Sequence, residues 1–183
     1  MADFEDLRIQ CMLEPGPGVQ WLTQIRRVLY PNHGTAHISV VPHFTIHEDH
    51  YQDLLENLAD VAAKWESFEF EADGVCGAKP HGCVAIRVRD NEGILQEIMD
   101  EVPPLVRQTH NRFPPHVTIY KGSPKLTWFP YFREFLGFKS LRSRVEAKLN
   151  HYRNLRGWSV SGKVIGLQLL QGNGILESYL FGS

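Results

Sequence analysis

Pro42-His43-Phe44-Thr45-Ile46 and Pro115-His116-Val117-Thr118-Ile119 are two copies of one short pattern, with the histidines 73 positions apart (116 less 43). Both copies sit among β-branched and aromatic residues, a composition that predicts strands. On a strand, side chains two positions apart point to the same face. His43 therefore shares a face with Thr45, and His116 with Thr118. Each pair sets an imidazole, which can carry a proton near neutral pH, beside a neutral hydroxyl donor. One further step of the alternation adds His47 after Thr45 and Tyr120 after Thr118 as candidate substrate-binding residues.

Outward from these strands, the pattern predicts a mixed chain. Leu7 to Leu13 reads as a strand that ends at Pro15-Gly16-Pro17-Gly18. Val19 to Tyr30 has helical spacing, with Leu22, Ile25, Val28 and Leu29 on one face. His37 to His47 is the first motif strand, and Tyr51 to Trp65 a helix with Leu54, Leu55, Leu58, Val61, Ala62 and Trp65 in its apolar stripe. Phe68 to Val75 and Cys83 to Val88 read as a strand pair across a hairpin-like loop. Asn91 is a candidate cap for a helix that runs to about Glu101, before Pro103-Pro104. Pro115 to Tyr120 is the second motif strand, Trp128 to Leu155 reads as helical, and Trp158 to Leu170 and Ile175 to Phe181 read as strands joined at Gly172-Asn173-Gly174. Each half holds a strand, a helix and a hairpin-like pair. The expectation is an α+β fold of two related lobes in a single domain spanning residues 1–183.

If the halves are related by a pseudo-two-fold, two imidazoles and two hydroxyls converge on one space. That set suits phosphodiester chemistry. One histidine, as neutral imidazole, takes a proton from the attacking water or hydroxyl, and the other, as imidazolium, protonates the leaving oxygen. The threonines donate to the non-bridging oxygens, where charge sits in the transition state. The sequence leaves open which histidine plays which part.

The two His-x-Thr-x motifs, His43-Phe44-Thr45-Ile46 and His116-Val117-Thr118-Ile119, resemble the signature of the two-histidine (2H) phosphoesterase superfamily. That superfamily includes 2′-5′ RNA ligase-like proteins, 2′,3′-cyclic nucleotide phosphodiesterases and 2′,5′-oligoadenylate phosphodiesterases. The resemblance implies a bilobal fold, with two antiparallel sheets around a central cleft and helices outside. It carries catalytic roles onto His43, Thr45, His116 and Thr118. It also implies metal-independent hydrolysis of 2′,3′-cyclic phosphates of RNA ends or nucleotides to 2′-phosphates. Cleavage of 2′,5′ linkages, RNA ligase-like activity and a non-catalytic module that binds nucleotides or RNA ends are the alternatives. The stretch from Pro124 to Gly157 is longer than the superfamily's core needs.

Composition narrows the rest. A chain of 183 residues can bury a core without a metal or disulfide staple. The net charge of -2 places any nucleic-acid contact in a local patch rather than in the global field. One such patch is Lys139 to Arg156, which follows Trp128, Phe129, Tyr131 and Phe132; it reads first as the solvated face of an amphipathic helix. Three cysteines without a C-x-x-C pair suggest reduced thiols. No secretory signal and no membrane-spanning run are seen, so cytoplasm or nucleus is the expected location. His43, His47 and His50 have metal-like spacing, but a strand sets the first two about 13 Å apart, too far for one zinc. We expect no metal, no cofactor and a monomer, with an RNA end or a small cyclic nucleotide as substrate.

Overall fold

The structure, a computed structural model, describes residues 3–29, 34–78, 83–90, 92–102, 114–120 and 160–182. Strand β1 (Asp3–Leu13) buries alternate residues Leu7, Ile9 and Cys11. Burial pushes the Cys11 thiol up to about 12, which makes it a core residue rather than a nucleophile. Helix α1 (Pro17–Leu29) starts on a proline, whose fixed φ suits a first helical position. It buries Val19, Leu22, Ile25 and Arg26 at helical spacing. Strand β2 (Ile38–His47) leads through a 3-10 turn (Glu48–His50) into α2 (Tyr51–Lys64), which buries Leu54, Leu58, Val61 and Ala62.

Strands β3 (Phe68–Ala78) and β4 (Cys83–Arg89) form an antiparallel pair. Helix α3 spans Ile94–Glu101 and begins later than the sequence suggests. Its cap is the Asp90 carboxylate, which accepts from the backbone N–H of Ile94 at 2.6 Å and of Leu95 at 3.2 Å. Gly93, at φ +77°, makes the turn between them. Asn91, the cap expected from sequence, lies outside the described residues. Strands β5 (His116–Tyr120), β6 (Val160–Gln171) and β7 (Gly174–Leu180) complete the described elements. The expected helical stretch from Trp128 to Leu155 and the basic patch within it lie outside the described residues.

The fold is α+β, with three α-helices and antiparallel strand pairing throughout among the described residues, but the expected two separate sheets take another form. The seven strands of the described residues belong to one sheet in the order β1-β2-β5-β4-β3-β6-β7, and β1 also pairs with β6, so six of them close into a ring. The cause is the length of β6. Twelve residues of strand extend about 40 Å, enough to serve both groups. Its first part pairs with β3 (Phe68↔Val164 to Ala72↔Val160), and its later part pairs with β1 on one edge and β7 on the other. On the far side of the ring, β2 and β5 meet at one pair, Ile38↔Val117.

The helices hold this sheet from its apolar side. Helix α1 lies on β5 and β6, α2 on β6 and β7, and α3 against β2. The contact of α1 with β6 leaves no space for side chains: a Cβ on Gly18 would collide with the Ser161 carbonyl oxygen. Buried residues of all three helices join those of the strands in one hydrophobic cluster. Phe70, Leu22, Leu54 and Leu95 are almost wholly removed from water. Each such side chain contributes about 1.5–3 kcal/mol.

Candidate active site

The register of β2 against β5 places the two motifs. Residues opposite each other in an antiparallel pair share a face. Ile38 and Val117 are opposite and fully buried, so both belong to the core face. The alternation then sends Val40, Phe44 and Ile46 on β2, and Ile119 on β5, to the same core. It sends His43, Thr45, His116 and Thr118 to the other face. Both motifs therefore stand on the polar face of one sheet, on neighbouring strands. His43 and Thr45 are exposed, and His116 and Thr118 half-buried.

The prolines that open the motifs have local work to do. Pro42 falls between Val41, paired with Ile9, and Phe44, paired with Leu7, where the register of β1 against β2 shifts. A residue without an N–H is tolerated at such an irregularity. At β5, the Pro115 carbonyl accepts from the Val88 N–H at 2.9 Å and fastens the strand to β4 as the second motif begins.

Each motif histidine is tied at Nδ1. The His116 Nδ1 donates to the backbone carbonyl of Pro114 at 2.9 Å. A carbonyl oxygen can only accept, so the proton sits on Nδ1 and the neutral ring keeps its lone pair on Nε2. His43 has the same arrangement with a different partner: its Nδ1 lies 2.5 Å from Oδ1 of Asp6. Asp6 reaches it from a bulge in β1. Phe4 pairs with Ile46 and Leu7 with Phe44, so β1 uses one residue more than β2 across this stretch. Asp6 takes the strain, at φ +57°, the one positive φ of a non-glycine among the described residues. That conformation costs an L-residue roughly 1–2 kcal/mol, with Asp and Asn among the more tolerant.

Around His116 the polar face is basic. Arg87 on β4 is its direct register partner and so stands on the same face. His37, which precedes β2 with the parity of His43, donates from Nδ1 to the Thr35 carbonyl at 3.2 Å. Burial, then the charge of Arg26, push this imidazole down to about 4, with Arg8 and His116 acting in the same direction. His37 is therefore neutral at physiological pH and sits within electrostatic range of Arg8, Arg26 and His116.

The remaining expectations fall differently. His47 follows Thr45 on the same face, but its Nδ1 accepts from the Asp49 N–H at 3.3 Å and caps the 3-10 turn. That engagement gives His47 a local structural task. Tyr120 ends β5, with its backbone opposite Val84; its side chain lies outside the described residues.

The sequence of residues 13–147 matches the 2′-5′ RNA ligase superfamily. The chain belongs to that superfamily, the 2H phosphoesterases. Its members are phosphoesterases and ligases that act on RNA. No curated protein matches the sequence significantly.

Solved structures share the superfamily fold with this chain. Usb1 of Kluyveromyces marxianus, solved with uridine monophosphate, superposes with a TM-score of 0.65 at 10% identity, covering 97% of this chain and 99% of Usb1. LigT of E. coli, solved with 3′-AMP, gives 0.61 at 10% identity, over 98% and 99% of the two chains. TT0787 of Thermus thermophilus gives 0.55 at 13% identity, over 97% and 98%. At these identities the likeness is one of fold.

Reading the sequence singles out both His-Thr pairs, which the fold brings to one face, but not Asp6, His37 or Arg87, which stand beside them. Asp6 lies 37 residues before its partner, and nothing in its neighbours marks a bulge. His37 could have been found, because it extends the alternation of His43 and Thr45 backwards along the strand. Arg87 becomes visible only once the register of β4 against β5 is known.

Proposed function

We propose that this chain is a metal-independent phosphoesterase that hydrolyses 2′,3′-cyclic phosphates of RNA ends or nucleotides to 2′-phosphates. The observation that carries the reading is the placement of two His-x-Thr pairs on one polar face of neighbouring strands, each histidine fixed at Nδ1 so that its Nε2 can exchange a proton. In this reading one histidine takes a proton from water as the water oxygen bonds to phosphorus. The bond from phosphorus to the ribose 3′-oxygen breaks, and the other histidine protonates that oxygen. Thr45 and Thr118 donate hydrogen bonds to the non-bridging oxygens. Arg8, Arg87 and the buried Arg26 supply a positive environment for the anionic substrate in a chain whose net charge is -2. Usb1 and LigT were each solved with a nucleotide, which supports a nucleotide-sized ligand here. The two groups of strands around β6 correspond, in this reading, to lobes related by a pseudo-two-fold, with Tyr120 and His47 at the edge of the substrate site.

The test is incubation with chelator against a 2′,3′-cyclic mononucleotide, an RNA ending in a 2′,3′-cyclic phosphate, and a 2′,5′-oligoadenylate, with products assigned by phosphorus NMR. A 2′-phosphate from either cyclic substrate is the expected outcome. Cleavage of the oligoadenylate alone moves the assignment to a 2′,5′-phosphodiesterase. Binding without turnover moves it to a module that recognises RNA ends.

A further inference from the structure

The geometry points to Asp6 as a positioning residue for His43, held in place by the bulge of β1. This rests on the proposed role of His43 in proton transfer, but its structural half stands alone. Three features single out Asp6. It is the one non-glycine residue at positive φ among the described residues. Its Oδ1 meets His43 Nδ1 at 2.5 Å although both side chains are about half exposed, 55% and 54%. Its backbone is clasped from the turn between β6 and β7: the Gly172 N–H donates to the Asp6 carbonyl at 3.1 Å, and Gln171 Nε2 donates to the Glu5 carbonyl at 3.0 Å.

A bulge that served packing alone would favour glycine at this conformation, with asparagine and aspartate next. Aspartate there provides a carboxylate aimed at the imidazole of a motif histidine. Its task is twofold. It accepts the Nδ1 proton, which leaves Nε2 of the neutral ring as the base, and it compensates the positive charge when Nε2 gains a proton. The two motif histidines are then held unequally: His43 by a carboxylate, His116 by a neutral carbonyl. Local conformation and proton chemistry make opposite demands at Asp6, the pattern expected where backbone strain serves a site.

Two substitutions separate the demands. Asp6→Gly relieves the backbone and removes the carboxylate. It is expected to melt at or above the wild-type temperature while kcat on the best phosphodiester falls by roughly 10²-fold with KM nearly unchanged. Asp6→Asn keeps the conformation but offers an amide N–H₂ that can donate to Nδ1 and drive the ring proton to Nε2. Its kcat is expected to fall further than that of Asp6→Gly. Nitrogen NMR of the His43 ring in unliganded protein reads the tautomer directly. The expected result is Nδ1–H in the wild type and a shift toward Nε2–H in both variants. A wild-type ring protonated on Nε2, or an Asp6→Gly protein with unchanged tautomer, overturns the inference. If no phosphodiester is turned over, the proposed activity fails, while the tautomer measurement still decides the role of Asp6.

Discussion

Arg26 on α1 donates from Nη1 to the backbone carbonyl of Thr118 at 2.7 Å. Arg26 is 5% exposed, so a charged residue has been taken into the core to hold the strand that carries the second motif. The charge of Arg26 also disfavours the charged form of His37. The helix thus sets both the position and the electrostatics of the His116 end of the site. Arg26→Met keeps length and apolar bulk but leaves the Thr118 carbonyl without this donor. The expected loss is about 1.5–3 kcal/mol, measured by urea denaturation, together with reduced kcat. Unchanged stability would show that the bond is incidental.

His37 gives a pH signature of folding. Its folded-state imidazole is pushed down to about 4 from 6.5, so as pH falls below about 6.5 the unfolded chain takes up the proton first. The stability that follows from keeping this ring neutral is complete above pH 6.5 and is lost as pH drops toward 4. Melting temperatures of wild type and His37→Gln, compared from pH 7.5 to 4, should show the steeper acid-side fall in the wild type. Parallel curves would contradict the burial of this ring.

Gly18 tests how tightly α1 is seated. In an exposed helix, glycine to alanine gains up to about 1 kcal/mol. Here the new methyl would run into the Ser161 carbonyl oxygen, and backbone must move to admit it. Gly18→Ala should instead destabilise by roughly 1–3 kcal/mol, read as a lower denaturation midpoint. A gain in stability would place α1 farther from β6 than described.

The threonines are separable from the histidines by chemistry. Thr45→Val and Thr118→Val remove a hydroxyl with little change in volume or strand preference. Each should lower kcat by roughly 10²-fold, and the serine variants should recover most of it. If valine and serine variants behave alike in steady-state kinetics, the hydroxyls do not meet the phosphate oxygens.

Local signals in the sequence were enough for the elements that build the site. The alternation of β2, with Ile38, Val40, Phe44 and Ile46 inward, is a period-two pattern that a strand must obey. The stripe of α2 was legible for the same reason at the helical period. What the sequence did not show is long-range. The closure of the ring depends on β6 pairing with β1, β3 and β7, and no local signal encodes partner choice. The start of α3 differs from the expectation because the Asp90 carboxylate accepts from the N–H groups of Ile94 and Leu95, a bond that reaches across the Gly93 turn. Asp6 was hidden because its conformation is imposed by register with β2 and by the Gly172 turn. His43 and His116 were legible as a pair because a repeated motif needs no knowledge of the tertiary fold.

The most direct test of the two-histidine account is the single-turnover rate on an RNA ending in a 2′,3′-cyclic phosphate, with chelator present, for wild type, His43→Ala and His116→Ala. The account predicts turnover by the wild type and a loss of about 10²-fold or more in each variant. A variant that keeps the wild-type rate, or a wild-type rate abolished by the chelator, would contradict it.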